Sequence, residues 1–217
     1  ALNFFIKTRT NIGFFDFGPL YLLIVNKKRG IFMSTTVGLI VGSLRKGSYT
    51  KAVAEQAAAL LPEAYTVKNI NIGDLDLYNQ DLDDENQVPE SWKKFREDMQ
   101  SVDAVIFATP EYNRSVPGVL KNAIDVGSRP YGASVWDKKP AIILSVSPGA
   151  ISGFGANHHL RQSLVFLNMP VVQQPEVYLG NVTNILDDNL KITNKGTIGF
   201  LQSAMDTFVD LINRFKD

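Results

Sequence analysis

Three short stretches carry the polar chemistry of this chain. The first is Gly42-Ser43-Leu44-Arg45-Lys46-Gly47-Ser48, followed by Tyr49 and Thr50. It lies between an apolar run, residues 37–41, and a helix-forming run that begins Lys51-Ala52-Val53-Ala54-Glu55. A buried strand that turns directly into a helix leaves the first backbone N–H groups of the helix without internal acceptors, and the helix dipole adds positive potential there. Such a turn suits an anion. Ser43, Ser48 and Thr50 add hydroxyl donors, and Arg45 adds a fixed charge. The glycines do not spell a P-loop, because Ser48 stands where the lysine belongs. They do not spell a dinucleotide fingerprint either, because Leu44 occupies the second glycine position. A plain turn that binds nothing is the alternative for this stretch taken alone.

The second stretch, Thr109-Pro110-Glu111-Tyr112-Asn113-Arg114-Ser115-Val116-Pro117, follows the apolar run 104–108. Pro110 and Pro117 stiffen it, so its backbone donors are presented with little loss of entropy. The Tyr112 ring and the Asn113 amide suit a flat polar heterocycle better than a sugar; the alternative is that Tyr112 packs on the protein and Glu111 is solvated. The third stretch runs from Ser145 to Gly155 after the apolar run 141–146, and Gly149, Gly153 and Gly155 allow close backbone approach to a ligand. Its alternative is a flexible loop without a ligand.

The elements around these stretches alternate. Runs at 37–41, 104–108 and 141–146, apolar but for Ser145, read as strands buried on both faces. Residues 66–72 alternate more and read as a strand near an edge, and 171–178 as a last strand interrupted by Pro175. Helices are expected over 49–61, 91–100, 117–127, 157–167 and 196–215, with Trp92, Phe95 and Met99 on one buried face and a long acidic loop over 73–89. Strands alternating with helices predict a three-layer α/β sandwich with a five-stranded parallel sheet in the flavodoxin-like order 2-1-3-4-5. Ligands of such sheets bind outside the carboxyl ends of the strands, where the three stretches emerge.

The chain has 217 residues, 45% of them hydrophobic, equal numbers of acidic and basic residues, and no cysteine. This composition excludes disulfides, thiolate catalysis and cysteine metal sites. No basic stripe interleaved with aromatics points to nucleic acid. Residues 1–32 differ from the rest: an apolar and aromatic run, 13–25, is broken by Asp16, Gly18 and Pro19 and followed by Lys27-Lys28-Arg29. Its uninterrupted part is too short to span a bilayer, and the order of its parts is not that of a signal peptide. Residues 1–32 are therefore expected to be a leader, from an expression vector or an upstream in-frame translation. Met33 would then open one domain, 33–217, working in the cytoplasm without membrane contact.

Together these residues resemble a known family. Gly42-Ser43-Leu44-Arg45-Lys46-Gly47-Ser48, Pro110-Glu111-Tyr112-Asn113 with Ser115-Val116-Pro117-Gly118, and Leu120-Lys121-Asn122-Ala123-Ile124-Asp125 are similar to the NAD(P)H-dependent FMN reductases. The likeness is greatest to the bacterial quinone and chromate reductase branch, and His159-Leu160-Arg161-Gln162 and Gln174-Pro175-Glu176 resemble that branch as well. The resemblance implies bound FMN, NADPH or NADH as co-substrate, and a homodimer or homotetramer. Carried over by residue, it implies that Ser43, Arg45, Ser48 and Thr50 hold the FMN phosphate, with Tyr49 as a further cofactor-binding residue. Pro110, Glu111, Tyr112 and Asn113 would edge the isoalloxazine, and Ser147 with Gly149 would lie beside the flavin. Two departures are Tyr49-Thr50, where many relatives have an aromatic followed by Asn, and Val126-Gly127, where a Trp often follows the Asp; the second is expected to loosen packing near the subunit contact.

Hydride transfer needs stacking and orientation rather than a protein acid or base, which accords with a chain lacking any triad or nucleophile elbow. Adjacent His158 and His159 would point about 100° apart on a helix and do not favour a shared metal ion, and the acidic run 81–85 is expected to be solvated rather than a calcium loop. The expected function is hydride transfer from NAD(P)H through FMN to a quinone or another soluble small-molecule acceptor. A non-enzymatic flavodoxin-like electron carrier and a flavin-binding regulatory protein are the alternatives. Subunit contacts are expected from 117–129 or 156–167, with Arg161 and Glu176 needing charged partners and Tyr131 and Trp136 as interface aromatics.

Overall fold

The computed structural model describes residues 34–216. The expected leader, and Met33 and Asp217 at the ends of the expected domain, lie outside the described residues. Five strands form one parallel sheet: β1 Thr35–Val41, β2 Tyr65–Ile70, β3 Ala104–Thr109, β4 Ala141–Val146 and β5 Val177–Leu179. Their order is β2-β1-β3-β4-β5, as the alternating pattern predicts. The described residues form six α-helices: α1 Tyr49–Ala58, α2 Gln80–Asp84, α3 Glu90–Gln100, α4 Gly118–Gly127, α5 Phe154–Phe166 and α6 Lys195–Arg214.

Alternate residues of the buried strands feed two cores. Val37, Leu39, Ile106, Leu144 and Val146 pack under α1 and α6, with Phe208 and Met205. Ile40, Val105, Phe107 and Ile143 face the other way, toward α3, α4 and α5, with Trp92, Phe95, Met99 and Leu160. Among the described residues, no helix is long and apolar enough to cross a membrane.

Several boundaries differ from expectation, each for a local reason. Helix α1 stops at Ala58 because the chain tightens: the amides of Leu60 and Leu61 donate to Ala57 and Ala58, a 3₁₀-type closure before Pro62. The 171–178 segment contributes only Val177–Leu179 to the sheet, beyond a single bridge from Val171 to Ala141. Pro175 offers no N–H, and the Val172 carbonyl instead accepts from Arg161 Nη1 at 2.9 Å. The acidic loop contains α2, and its acidic run is not wholly solvated. Asp83 lies under α3, where both its oxygens accept from Arg96 at 2.8 Å; its side chain is 6% exposed.

Candidate active site

Strands β1, β3 and β4 run in register, with Val41 beside Ala108 and Thr109 beside Ser145, so the three polar stretches leave the same edge of the sheet. The Gly42 amide donates to the Ala108 carbonyl at 2.8 Å and ties the first loop to the second. A Cβ on Gly42 would come 3.4 Å from Pro110 Cδ and 3.3 Å from Leu120, so glycine permits the two loops to lie this close.

Ser48 is the N-cap of α1, with extended backbone, and its Oγ accepts from the Lys51 amide at 3.1 Å. The cap satisfies one of the orphan donors; the amides of Tyr49 and Thr50 have no intrahelical acceptor. Ser48 and Thr50 are buried, Ser43 is half-buried and Arg45 is exposed, its guanidinium 5.6 Å from the Tyr49 ring centroid. A Cβ on Gly47 would meet nothing within 4 Å, so the loop backbone borders open space. From Gly42 to Thr50 there is no carboxylate. Amides, hydroxyls and one guanidinium at a helix N-terminus form a donor set that fits a phosphate dianion.

The second loop is a tight two-residue hairpin. The amides of Tyr112 and Ser115 donate to each other's carbonyls at 3.0 and 3.1 Å. Between them Asn113 and Arg114 have φ of 52° and 67°, the left-handed pair of a type I′ turn. Tyr112 and Asn113 are exposed at this tip, and Pro110 is half-buried behind it. Glu111 is not solvated: its side chain is 12% exposed, and Oε2 accepts from the Ala156 amide at 3.1 Å. In the third loop the Ser147 Oγ accepts from the Gly149 amide at 3.0 Å, so that hydroxyl already shapes its own turn.

The structure thus brings all eleven predicted binding residues to one edge, but commits two side chains, Glu111 and Ser147, to bonds within the protein. Sequence reasoning named His159 and Asn122 only within the family motifs and gave neither a partner: His159 Nδ1 lies 2.9 Å from Ser115 Oγ, and Asn122, buried on α4, accepts from the Tyr78 amide at 2.8 Å and donates to the Asp76 carbonyl at 3.0 Å. A buried amide on an otherwise apolar helix face was the available signal. His158 and His159 take separate partners, since His158 Nε2 lies 3.1 Å from Tyr178 Oη.

Three expectations about the subunit contact are corrected. Arg161 and Glu176 meet each other, Nε to Oε1 at 3.7 Å, and Arg161 also donates to Asn157 and Val172, so neither needs a second chain. Trp136 is fully buried in the core, its indole N–H donating to the Ile124 carbonyl at 3.0 Å. Gly127 does not loosen the packing. Trp136 fills the space above it, with Nε1 2.6 Å from where a Cβ would stand. Tyr131 alone stays exposed, at 92%. A cavity of about 890 Å³ lies not over the three loops but beside them, lined by residues of α4 and α5 with Tyr78, Ser115 and Arg129.

Comparison with known proteins agrees with this geometry. The chain is 55% identical over 177 residues to a quinone reductase of Pseudomonas putida, covering 82% of this chain and 94% of that protein. It is 40% identical over 176 residues to a 2-hydroxy-1,4-benzoquinone reductase of a Burkholderia species, covering 81% and 95%. The flavoenzyme NAD(P)H:(acceptor) oxidoreductase FerB of Paracoccus denitrificans superposes with a TM-score of 0.77 at 36% identity, covering 83% of this chain and 98% of that one. The sequence model of the NADPH-dependent FMN reductases matches residues 35–184, from β1 past β5, taking in all three loops. A donor-lined helix N-terminus in the first loop, a stiff hairpin in the second and a glycine-rich third therefore sit within a shared fold, and the chain belongs to the NADPH-dependent FMN reductase family.

Proposed function

We propose that this protein transfers a hydride from NADPH or NADH to a quinone or another small soluble acceptor, with FMN as its resident cofactor. The observation that carries the proposal is the donor-only turn at the N-terminus of α1, adjoining the 109–117 hairpin through Gly42. In this reading Ser43, Arg45, Ser48 and the amides of Tyr49 and Thr50 hold the phosphate. The backbone of Pro110, Glu111 and Asn113 and the Tyr112 ring border the isoalloxazine, and Gly149 gives it room on the third loop. FMN held there supplies both the hydride acceptor and the hydride donor. The residues bind, orient and shield from water; none needs to act as nucleophile. The names of the Pseudomonas and Burkholderia relatives support a quinone as acceptor.

The test is NAD(P)H oxidation by the purified chain with a benzoquinone and no partner protein. Turnover together with a flavin absorption spectrum supports the proposal. Bound flavin without turnover would make the protein a carrier or a regulator.

Two further parts of the reading concern assembly and place. The groove between α4 and α5, lined in part by Phe166, exposed at 88%, supports a homodimer or homotetramer closed over this face. Phe166→Glu should then lower the particle mass in light scattering. The protein would work in the cytoplasm, with residues 33–217 as the catalytic unit; a chain starting at Met33 should retain full turnover.

A further inference from the structure

Glu111 belongs to the second loop, yet its carboxylate does its bonding on the third. Helix α5 begins at Phe154 after Gly153, which has φ of 74° and no side chain to cap the helix. The missing acceptor comes from Glu111: Oε2 takes the amide of Ala156, the third residue of the helix, at 3.1 Å. A carboxylate at a helix N-terminus is held by both the hydrogen bond and the dipole. Its other oxygen lies 3.6 Å from Arg114 Nη1, so the same group reaches the tip of its own hairpin.

Two more contacts close the hairpin onto α5. Gly155 lies so near that a Cβ there would come 2.7 Å from the Arg114 carbonyl oxygen and 3.1 Å from Glu111 Oε2. One turn further along, His159 meets Ser115 Oγ at 2.9 Å. The turn held this way is under strain, because Arg114 is a non-glycine residue with φ of 67°. Strain of that kind persists where surrounding contacts over-determine the conformation. The atoms of the clamp are separate from the 42–50 donor set.

We propose that Glu111 is a positioning residue: it clamps the 112–115 hairpin to the first turn of α5, and so sets how the nicotinamide donor meets the flavin rather than how tightly FMN is held. This rests on the hydride-transfer reading above. The clamp predicts that moving the hairpin without touching a charge has the same consequence as removing the carboxylate. Gly155→Ala does that from the α5 side.

The experiment compares FMN-loaded wild type with Glu111→Ala, Glu111→Gln, Gly155→Ala and the Ala/Ala double variant. FMN affinity is measured by titrating the apo-proteins, and the rate of bound-flavin reduction by NADPH in single turnover. Expected is FMN affinity within about threefold of wild type, with flavin reduction slowed at least about tenfold in Glu111→Ala and Gly155→Ala, the scale of a small misplacement at a reacting centre. The double variant should be no slower than either single one, and Glu111→Gln should recover much of the rate, since its amide oxygen still accepts from Ala156. Unchanged reduction in Glu111→Ala overturns the proposal, as does a rate loss matched by lost FMN affinity. A Gln variant as slow as Ala, with Gly155→Ala normal, makes Glu111 a charge acting on the flavin and likewise overturns the clamp. Hydrogen exchange at the Tyr112 and Ser115 amides of the apo-protein reads the clamp without flavin: it should quicken in Glu111→Ala. If wild type takes up no FMN, the functional reading fails while this measurement still decides the clamp.

Discussion

Ser48 has two duties that substitution can separate. Its Oγ accepts from the Lys51 amide at 3.1 Å and caps α1, while the hydroxyl proton remains to be donated to a phosphate. Removing a serine cap by alanine costs about 1 kcal/mol of stability, and by glycine only a few tenths, because glycine takes the extended cap backbone easily. A hydrogen bond to a charged group contributes about 1.5–3 kcal/mol, or roughly a 10- to 160-fold change in dissociation constant. Ser48→Ala should therefore lose both stability and FMN affinity, and Ser48→Gly mainly affinity. Urea denaturation of the apo-proteins gives the first quantity, and flavin fluorescence titration the second. The affinity loss should change little with salt, because Ser48 is buried, whereas that of Arg45→Ala should shrink as salt rises, because Arg45 is exposed. If Ser48→Gly binds FMN as wild type does, the phosphate does not rest on Ser48 and the donor-set argument fails.

Asp83→Ala leaves the Arg96 guanidinium buried at 12% exposure with, among the described residues, the Val126 carbonyl as its one remaining hydrogen-bond acceptor, and should cost about 3 kcal/mol in urea denaturation; under 1 kcal/mol would mean that water replaces the carboxylate. Gly127→Ala puts a methyl group against the Trp136 indole and should cost about 1–3 kcal/mol, with altered tryptophan fluorescence; an unchanged spectrum and stability would show that the indole moves aside freely. The Tyr178 phenol is pushed up to about 12, first by burial and then by the neighbouring Glu176 carboxylate. A pKa raised on folding means that the stability held by the neutral phenol is complete below pH 10 and is lost as pH rises toward 12; Tyr178→Phe should flatten that alkaline decline in the denaturation midpoint.

The sheet was legible because its central strands are apolar throughout, from Ala104 to Ala108 and, but for the buried Ser145, from Ala141 to Val146, and few topologies fit strands of that kind joined by helices. The loops at its carboxyl edge were legible for the same reason. What sequence could not supply was the partner of each polar side chain. Helix α5 starts at Phe154, three residues before the expected start, because its capping group comes from Glu111, far back in the chain, and no local capping pattern announces it. Arg161 and Glu176 read as charges in need of another subunit. The 171–176 segment leaves the sheet after its Val171 bridge, before β5 begins at Val177, and brings Glu176 to Arg161 within one chain. Asp83 sits in a run of acids that reads as solvated, and only the fold delivers Arg96 to it.

These pairings decide what the site can do. Carboxylates near the three loops are taken up inside the protein: Glu111 by the α5 N-terminus and Glu176 by Arg161. The 42–50 turn holds no acid of its own. An anionic cofactor therefore meets donors that are already oriented, and little reorganisation opposes its binding. The same economy leaves no unpaired carboxylate at the hairpin tip to serve as a proton acceptor, which suits a reaction whose electrons travel as hydride between two stacked rings. On the proposed reading the division would fall between loops, with binding strength in the first and geometry in the second and third. Substitutions in the first loop should accordingly change how much cofactor is held, and substitutions along the clamp how fast the held cofactor is reduced.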